Sequence, residues 1–318
     1  MKNIYLNIFK ANLLNLKKAK KYIKSNNIIG LPTETVYGLA GNAYSNTSIK
    51  KIYSLKKRPN FNPLIVHYHD LKSLNNDVIL NKNFIKMYKT LCPGPITFIL
   101  KKKYRSKISK LVSAGKNTLA VRFPKHAVAR KLLKMLDAPL AAPSANISSK
   151  LSPTSAEDVV DEFKNKIKLV LDGGRCKIGL ESTIIDLTKT PSILRQGSIT
   201  KKKICQILKT KIKNSRHSKV TRAPGQLKLH YSPGIPIFMN KQKPKANEAF
   251  ITFGKKYKSG KNRFNLSKNN NLNEAANNLY RIMRKIKKRK YKSIIVSEIP
   301  KTGVGLAIND RLKKASYK

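Results

Sequence analysis

The chain has 318 residues, with 68 Lys and Arg against 15 Asp and Glu, a formal net charge of +53 at neutral pH. Its length suits one large domain or two ordinary ones, and its 40% hydrophobic residues exclude a wholly disordered chain. No apolar run approaches the roughly 20 residues of a membrane-spanning helix, and the cysteines Cys92, Cys176 and Cys205 lie too far apart to suggest a disulfide framework or a zinc site. A field of this sign draws polyanions, whether phosphate-bearing substrates or RNA, and the attraction weakens with salt. Heavy use of Lys, Asn and Ile is equally what an A·T-rich coding bias produces. Each of the few acids is therefore more informative than in an ordinary chain.

The N-terminal stretch MKNIYLNIFKANLLNLKKAKKYIK predicts a strand and then an amphipathic helix over Leu13–Ser25. It lacks the small-residue cleavage site of a secretory signal, so a cytoplasmic protein is the simplest expectation. Strands are expected over Ile28–Leu31, Leu64–Tyr68, Ile96–Leu100, Thr118–Phe123, Leu140–Ala142, Leu169–Asp172, Thr183–Leu187 and Ser192–Leu194. Helices are expected among them over Thr47–Lys56, Asn83–Leu91, Ala127–Leu136, Ala156–Lys164 and Lys201–Leu208. Such alternation marks an α/β domain. The helix after Pro153 opens on Thr154, Ser155, Ala156 and Glu157, a capping-box pattern.

Residues 211–234, KIKNSRHSKVTRAPGQLKLHYSPG, are polar, basic and broken by Pro-Gly and Ser-Pro-Gly, a linker composition. Yet Leu227, Leu229 and Tyr231 bring more apolar surface than a solvated tether needs. Beyond them, strands are expected over Ile235–Met239, Ala249–Phe253 and Ser293–Ser297, and helices over Asn273–Lys287 and Leu306–Lys314. The Lys- and Asn-rich stretch Lys255–Asn271 reads as a long loop. The expected organisation is an α/β domain over 1–210, a linker over 211–234 and a small α/β domain over 235–318.

No standard nucleotide cradle is present. The nearest approach to a P-loop, Gly174 to Gly179, runs into Leu180 and Glu181 where Lys and Ser or Thr are required, and no Gly-x-Gly-x-x-Gly follows the first strand. No His-Glu-x-x-His motif occurs, and no side chain is assigned to a metal. What remains is a set of polar groups near strand ends, where open α/β sheets bind ligands. These are Thr33, Glu34 and Thr35; Lys56 and Arg58 before the strand that carries His67; Arg122; Ser144 and Asn146; Glu181 and Ser182; and Arg195. An Arg at a strand end is more often a surface ion pair, but acids are scarce here, which leaves a ligand as its partner. Hydroxyls, amides and cations without Ser-His-Asp or Cys-His spacing suit anion and nucleotide positioning rather than covalent catalysis.

These segments, in order, resemble the YrdC-like family of threonylcarbamoyl-AMP synthases in its longer two-domain form. The resemblance rests on PTETVYGL (32–39), KKRPNFNPLIVH (56–67), CPGPITFIL (92–100), NTLAVRFP (117–124), PLAAPSANISSKLSPTSAEDV (139–159), DGGRCKIGLESTIID (172–186) and LRQG (194–197). APGQLKLHYSP (223–233) and GLAINDRLKKA (305–315) resemble features of the long form. The resemblance implies a twisted open mixed sheet (YrdC-like) and a smaller C-terminal Rossmann-like α/β domain. It implies synthesis of L-threonylcarbamoyl-AMP from L-threonine, bicarbonate and ATP, with Mg²⁺ accompanying ATP and pyrophosphate released. The product would pass to a threonylcarbamoyl transferase complex for t6A modification of tRNA beside the anticodon.

By motif position, threonine would meet Thr35, His67, Arg122, Ala142 and Ser182. ATP would meet Lys56, Arg58, Asn62, Thr118, Ser144, Ser152, Arg195 and Tyr231, with Lys56 and Arg58 as the catalytic cations. Arg forks match phosphate geometry, and Lys acts as a point charge. The linker would be a lid over a basic groove. Two other readings fit parts of the sequence. One is a non-catalytic protein holding double-stranded RNA or tRNA in that groove, although no RRM, KH or dsRBD pattern is present. The other is a carbamoyltransferase on the same fold, although the zinc-finger Cys pairs of such chains are missing.

Overall fold

The computed structural model describes residues 5–214, 223–225 and 229–317. Among these, the larger of two sheets has eleven strands. They are β1 (Ile8–Lys10), β2 (Ile29–Leu31), β3 (Gly38–Asn42), β4 (Ile65–His67), β5 (Ile96–Lys101) and β6 (Thr118–Arg122), followed by β7 (Leu140–Ala141), β8 (Val170–Asp172), β9 (Thr183–Asp186), β10 (Ser192–Arg195) and β11 (Lys213–Asn214). Their spatial order is β1-β8-β2-β3-β7-β4-β6-β5-β9-β10-β11, with parallel and antiparallel pairs mixed. The expected open mixed sheet is therefore present. The connecting helices are α1 (Leu13–Lys24), α2 (Asn46–Lys56), α3 (Leu71–Asn75), α4 (Lys82–Leu91), α5 (Ala127–Met135), α6 (Ala156–Phe163) and α7 (Lys201–Leu208).

The small unit is a parallel sheet ordered β12-β15-β13-β14. Its strands are β12 (Ile237–Met239), β13 (Glu248–Thr252), β14 (Arg263–Asn265) and β15 (Ser293–Val296), and its helices are α8 (Leu272–Lys288) and α9 (Gly305–Ala315). Three strands fall where loop or linker was expected, one of them β11, which pairs with β10 inside the stretch read as linker. β3 is GLAGN, buried over its first four residues, so it lacks the apolar–polar alternation that identifies a half-buried strand. β14 is a short edge strand inside the stretch that reads as a loop. The cap of α6 also lies one residue later than its sequence pattern suggests. Ser155 Oγ accepts from Asp158 N, while Asp158 Oδ2 accepts from the backbone and hydroxyl of Thr154.

The alternation of side chains along the strands divides the large sheet into two faces. One face packs against α2, α4, α6 and α7 through Ile52, Phe84, Val160 and Ile204, in a core with Leu39, Val66, Phe98 and Val121. On the other, α1 and α5 cover Ile29, Leu31, Ala40 and Leu171 with Leu16, Ala19, Ile23, Ala129 and Leu132. That cover stops midway. Further along this second face, Ile65, Ile99, Ala120 and Ile184 meet Ala223 of the linker. A helix-free strip of sheet, roofed by the linker, is where the fold leaves room for a ligand.

Candidate active site

Period 2 decides which side chains reach the strip. Ile65, Ala120, Ile99 and Ile184 lie on it, so His67, Arg122, Thr97 and Ser182, each two residues away, face the same side. Strand pairing then sets His67 opposite Arg122 and Thr97 opposite Arg122. Thr97 Oγ1 and Ser182 Oγ lie 2.7 Å apart, and Arg195 Nη2 donates to Ser182 Oγ at 3.1 Å. Arg195 Nε also donates to the Ser182 carbonyl at 3.0 Å. The result is a continuous polar row across β4, β6, β5, β9 and β10.

Arg58 enters from the end of α2. Lys57 adopts a left-handed conformation (φ 48°) and caps the helix, which accounts for one lysine of the basic run as a structural residue. The chain then folds back so that Arg58 Nη2 donates to Asn62 Oδ1 at 2.7 Å and to the Pro63 carbonyl at 2.9 Å, and Nε donates to the Asn62 carbonyl at 3.0 Å. One edge of the guanidinium is thus fixed in place. Burial lowers Arg58 to about 10, still charged at neutral pH.

A cavity of about 40 Å³ is lined by Thr35, Arg58, His67, Arg122, Ala142, Ser144, Ser182, Arg195 and Tyr231. Nine predicted positions therefore converge. Four do not line it. Lys56 is buried, and its ammonium donates to the Ser144 and Asn146 carbonyls, so it supports the loop behind the cavity and does not face it. Burial, with the like charge of Arg58, lowers its pKa well below the usual lysine value. Asn62 holds Arg58. Ser152 donates to Glu181 Oε1 at 2.6 Å. Thr118 shares the face of Arg122 but lies at the other end of β6, roughly 13 Å away at strand rise. It borders a separate surface depression with Lys101, Lys102 and Lys110.

Arg122 has a protein partner after all. Its Nη2 donates to Glu34 Oε1 at 2.7 Å, and both side chains are buried. Burial raises the Glu34 pKa, but Arg122 and backbone N–H donors outweigh it and hold the carboxyl below its usual value. Arg122 Nε, however, makes no hydrogen bond, and neither do His67 Nδ1 and Tyr231 Oη. With His230 Nδ1, that makes four buried polar atoms without partners around one cavity, and they mark a place that a polar ligand completes. Burial, then Arg122, lowers the His67 pKa well below its usual value, so the imidazole is neutral.

The linker lies over the site, where a lid was expected, and leaves a small cavity in place of a large groove. Pro224, Gly225, His230 and Tyr231 all line the cavity. Gly225 has φ +84°, and a Cβ there would come within 2.7 Å of Tyr231 Oη, so only glycine allows this close approach. Leu227 lies outside the described residues. About 40 Å³ holds a few waters, whereas ligand sites run to roughly 300–1,000 Å³. Glu181 is a site residue that the motif reasoning did not assign, although the scarcity of acids was a signal available for it. Its carboxylate lines the cavity and accepts from Ser152, from Tyr280 Oη at 3.0 and 3.1 Å, and from Arg311 Nε at 2.9 Å.

Comparison with known proteins matches the chain to two family models that meet near residue 198, before α7. Residues 21–197 match a family model for Sua5, YciO and YrdC, described as "Telomere recombination", and residues 199–316 match one described as "Threonylcarbamoyl-AMP synthase, C-terminal domain". A threonylcarbamoyl-AMP synthase of Pyrococcus abyssi is 33% identical over 95% of this chain and 94% of its own length. One from Bacillus subtilis is 34% identical over 95% of this chain and 92% of its own. The crystal structure of P. abyssi Sua5 complexed with L-threonine superposes with a TM-score of 0.88 at 31% identity, covering 97% of this chain and 96% of that one.

Proposed function

This chain belongs to the Sua5, YciO and YrdC family of threonylcarbamoyl-AMP synthases, and on that premise we propose that it makes L-threonylcarbamoyl-AMP from L-threonine, bicarbonate and ATP. The observation that carries this reading is the convergence of three arginines, two neutral imidazoles and four unpaired buried polar atoms on one cavity. Arg122 Nε receives the threonine carboxylate, while His67, Thr35 and Ser182 offer neutral donors and acceptors to its hydroxyl and nitrogen. A neutral His67 leaves the threonine amine free of a neighbouring imidazolium.

The amine attacks carbon of bicarbonate, water leaves, and a carbamate forms. A carbamate oxygen then attacks the α-phosphorus of ATP, the bond to the bridging oxygen breaks, and pyrophosphate departs. No protein nucleophile is required. Arg58 and Arg195 stand where the developing charge on the phosphates needs neutralising. Lys56 acts one step back by fixing the Ser144 loop.

Glu34 and Glu181, the acids beside the cavity, are already engaged by arginines and hydroxyls. The donor set therefore fits a Mg²⁺ held by the triphosphate and water rather than by these carboxylates; when bound, it supplies charge neutralisation of the leaving pyrophosphate. A cavity of about 40 Å³ cannot take ATP, so the linker moves aside to admit it and returns to exclude water from two labile intermediates. The strip beneath Ala223, leading from Arg122 towards Thr118, is the surface this movement opens.

The product would feed t6A formation on tRNA through a threonylcarbamoyl transferase complex in the cytoplasm, with the basic surface available to tRNA. None of the nine helices among the described residues is long and apolar enough to cross a membrane. A purely RNA-holding groove fits less well, because the arginines face inward under the linker. The test is pyrophosphate release from ATP that requires both threonine and bicarbonate. Release indifferent to threonine would refute the proposal.

A further inference from the structure

Arg311 of α9 is buried, as the site arginines are, yet it comes from the small unit and lies outside the cavity lining. A buried guanidinium survives only with its donors paired. Nε donates to Glu181 Oε2 at 2.9 Å, Nη2 to the Gln196 carbonyl at 2.9 Å and Nη1 to Asp310 Oδ2 at 2.7 Å. Its flat face lies 5.0 Å from the ring centroid of Tyr231, in cation–π range. One side chain thus touches the wall of the cavity, the end of β10 and the linker.

The rest of α9 and α8 continues the same contact. Lys314, one turn along the same face of α9, donates from Nζ to the Gly225 carbonyl at 2.8 Å, and its own carbonyl accepts from His230 N at 3.2 Å. Tyr280 of α8 stacks on Tyr231 with centroids 6.0 Å apart and bonds Glu181. Tyr231 belongs to the small unit's apolar core together with Val36, Leu151 and Leu180 of the large domain. Gly179 lets α8 come this close: a Cβ there would stand 2.6 Å from Asn277 Cα.

We propose that Arg311 is a positioning residue, the latch through which the small domain seats the linker over the cavity and neutralises Glu181 in its wall, thereby setting the affinity for ATP. The proposal rests on the linker being the lid of the proposed synthase. Glu181 without its cation would present a bare carboxylate to a triphosphate, and Tyr231 without the guanidinium would lose its platform. Both effects weaken ATP more than threonine, whose carboxylate partner, Arg122, is on β6.

Since the chain has no tryptophan, Leu229→Trp, at a partly exposed linker position, gives a single fluorescent reporter of lid closure. In that background, Arg311→Met combined with Glu181→Gln removes the latch without leaving Glu181 as a bare carboxylate, so it reads the seating of the linker apart from the charge of Glu181. Acrylamide quenching without substrate is expected to rise several-fold, and KM for ATP about tenfold or more, with KM for threonine changing less than about threefold. A folded double variant with unchanged quenching and unchanged KM for ATP overturns the proposal and leaves Arg311 as cement between domains. If the double variant fails to fold, Arg311→Lys, which keeps the charge but not the fork or the flat face, decides by the same two measurements. Quenching needs no turnover, so failure of the synthase reading, seen as no threonine-dependent pyrophosphate release by the parent, is distinguishable from failure of the latch.

Discussion

The Arg122–Glu34 pair allows stability and substrate binding to be separated. Arg122→Met leaves Glu34 buried without its cation, and breaking one side of a buried pair costs about 3–5 kcal/mol of stability. Replacing both charges, Arg122→Met with Glu34→Gln, removes the stranded charge, and such paired replacement is often close to neutral. Stability should therefore return in the double variant. Threonine binding should not, because the Nε that makes no protein hydrogen bond is gone in both variants. A lost charge-assisted hydrogen bond of about 1.5–3 kcal/mol corresponds to a roughly 10- to 150-fold rise in KM for threonine. The assay pairs thermal denaturation with threonine-dependent pyrophosphate release at a temperature where all variants are folded. A double variant that regains stability together with parental KM for threonine would refute the assignment of Arg122 to the substrate carboxylate.

Lys56→Met should remove the donor to two buried carbonyls, lowering stability by about 2–5 kcal/mol and reducing turnover through the Ser144 loop; an unchanged melting temperature would contradict its supporting role. Tyr231→Ala should lower adenylate formation while the large domain stays folded, and unchanged turnover would remove the lid from the account. Stability should also follow pH in a set direction. Burial lowers the pKa values of His67, His126 and His230, the last to about 3, so the unfolded chain binds more protons below its histidine value of 6.5. Stability is thus full above about pH 6.5 and declines as pH falls through that value. Glu34 and Glu181, depressed in the fold, the latter from 4.5 to about 2, add a further loss as pH falls below 4.5. Denaturation midpoints from pH 8 to 3 test this, and a flat profile between pH 7 and 5.5 would contradict the buried neutral histidines.

Much of this architecture was legible because strands and helices announce themselves by period and cap. The helix Lys201–Leu208 matches its expected bounds, and the remaining expected elements shift by a residue or two. β3 was hidden by being buried along nearly its whole length, and β14 by its Lys- and Asn-rich surroundings. The ordered motifs named Arg58, His67, Arg122, Ser182 and Arg195, which line one cavity, but sequence order alone could not give direction. Lys56 and Arg58 are two residues apart, yet one supports a loop and the other faces the cavity, because Lys57 turns left-handed between them. Thr118 and Arg122 share a face but not an end of the strand. Glu181 and Arg311 meet from opposite domains, 130 positions apart, so no local pattern joins them.

The central claim is that this cavity binds threonine, bicarbonate and ATP for one reaction. Its most direct test is pyrophosphate release by the full chain with each substrate omitted in turn. Release is predicted only when threonine, bicarbonate and ATP are all present, with L-threonylcarbamoyl-AMP formed in equal amount. Pyrophosphate released at the same rate without threonine, or none with all three, would contradict it.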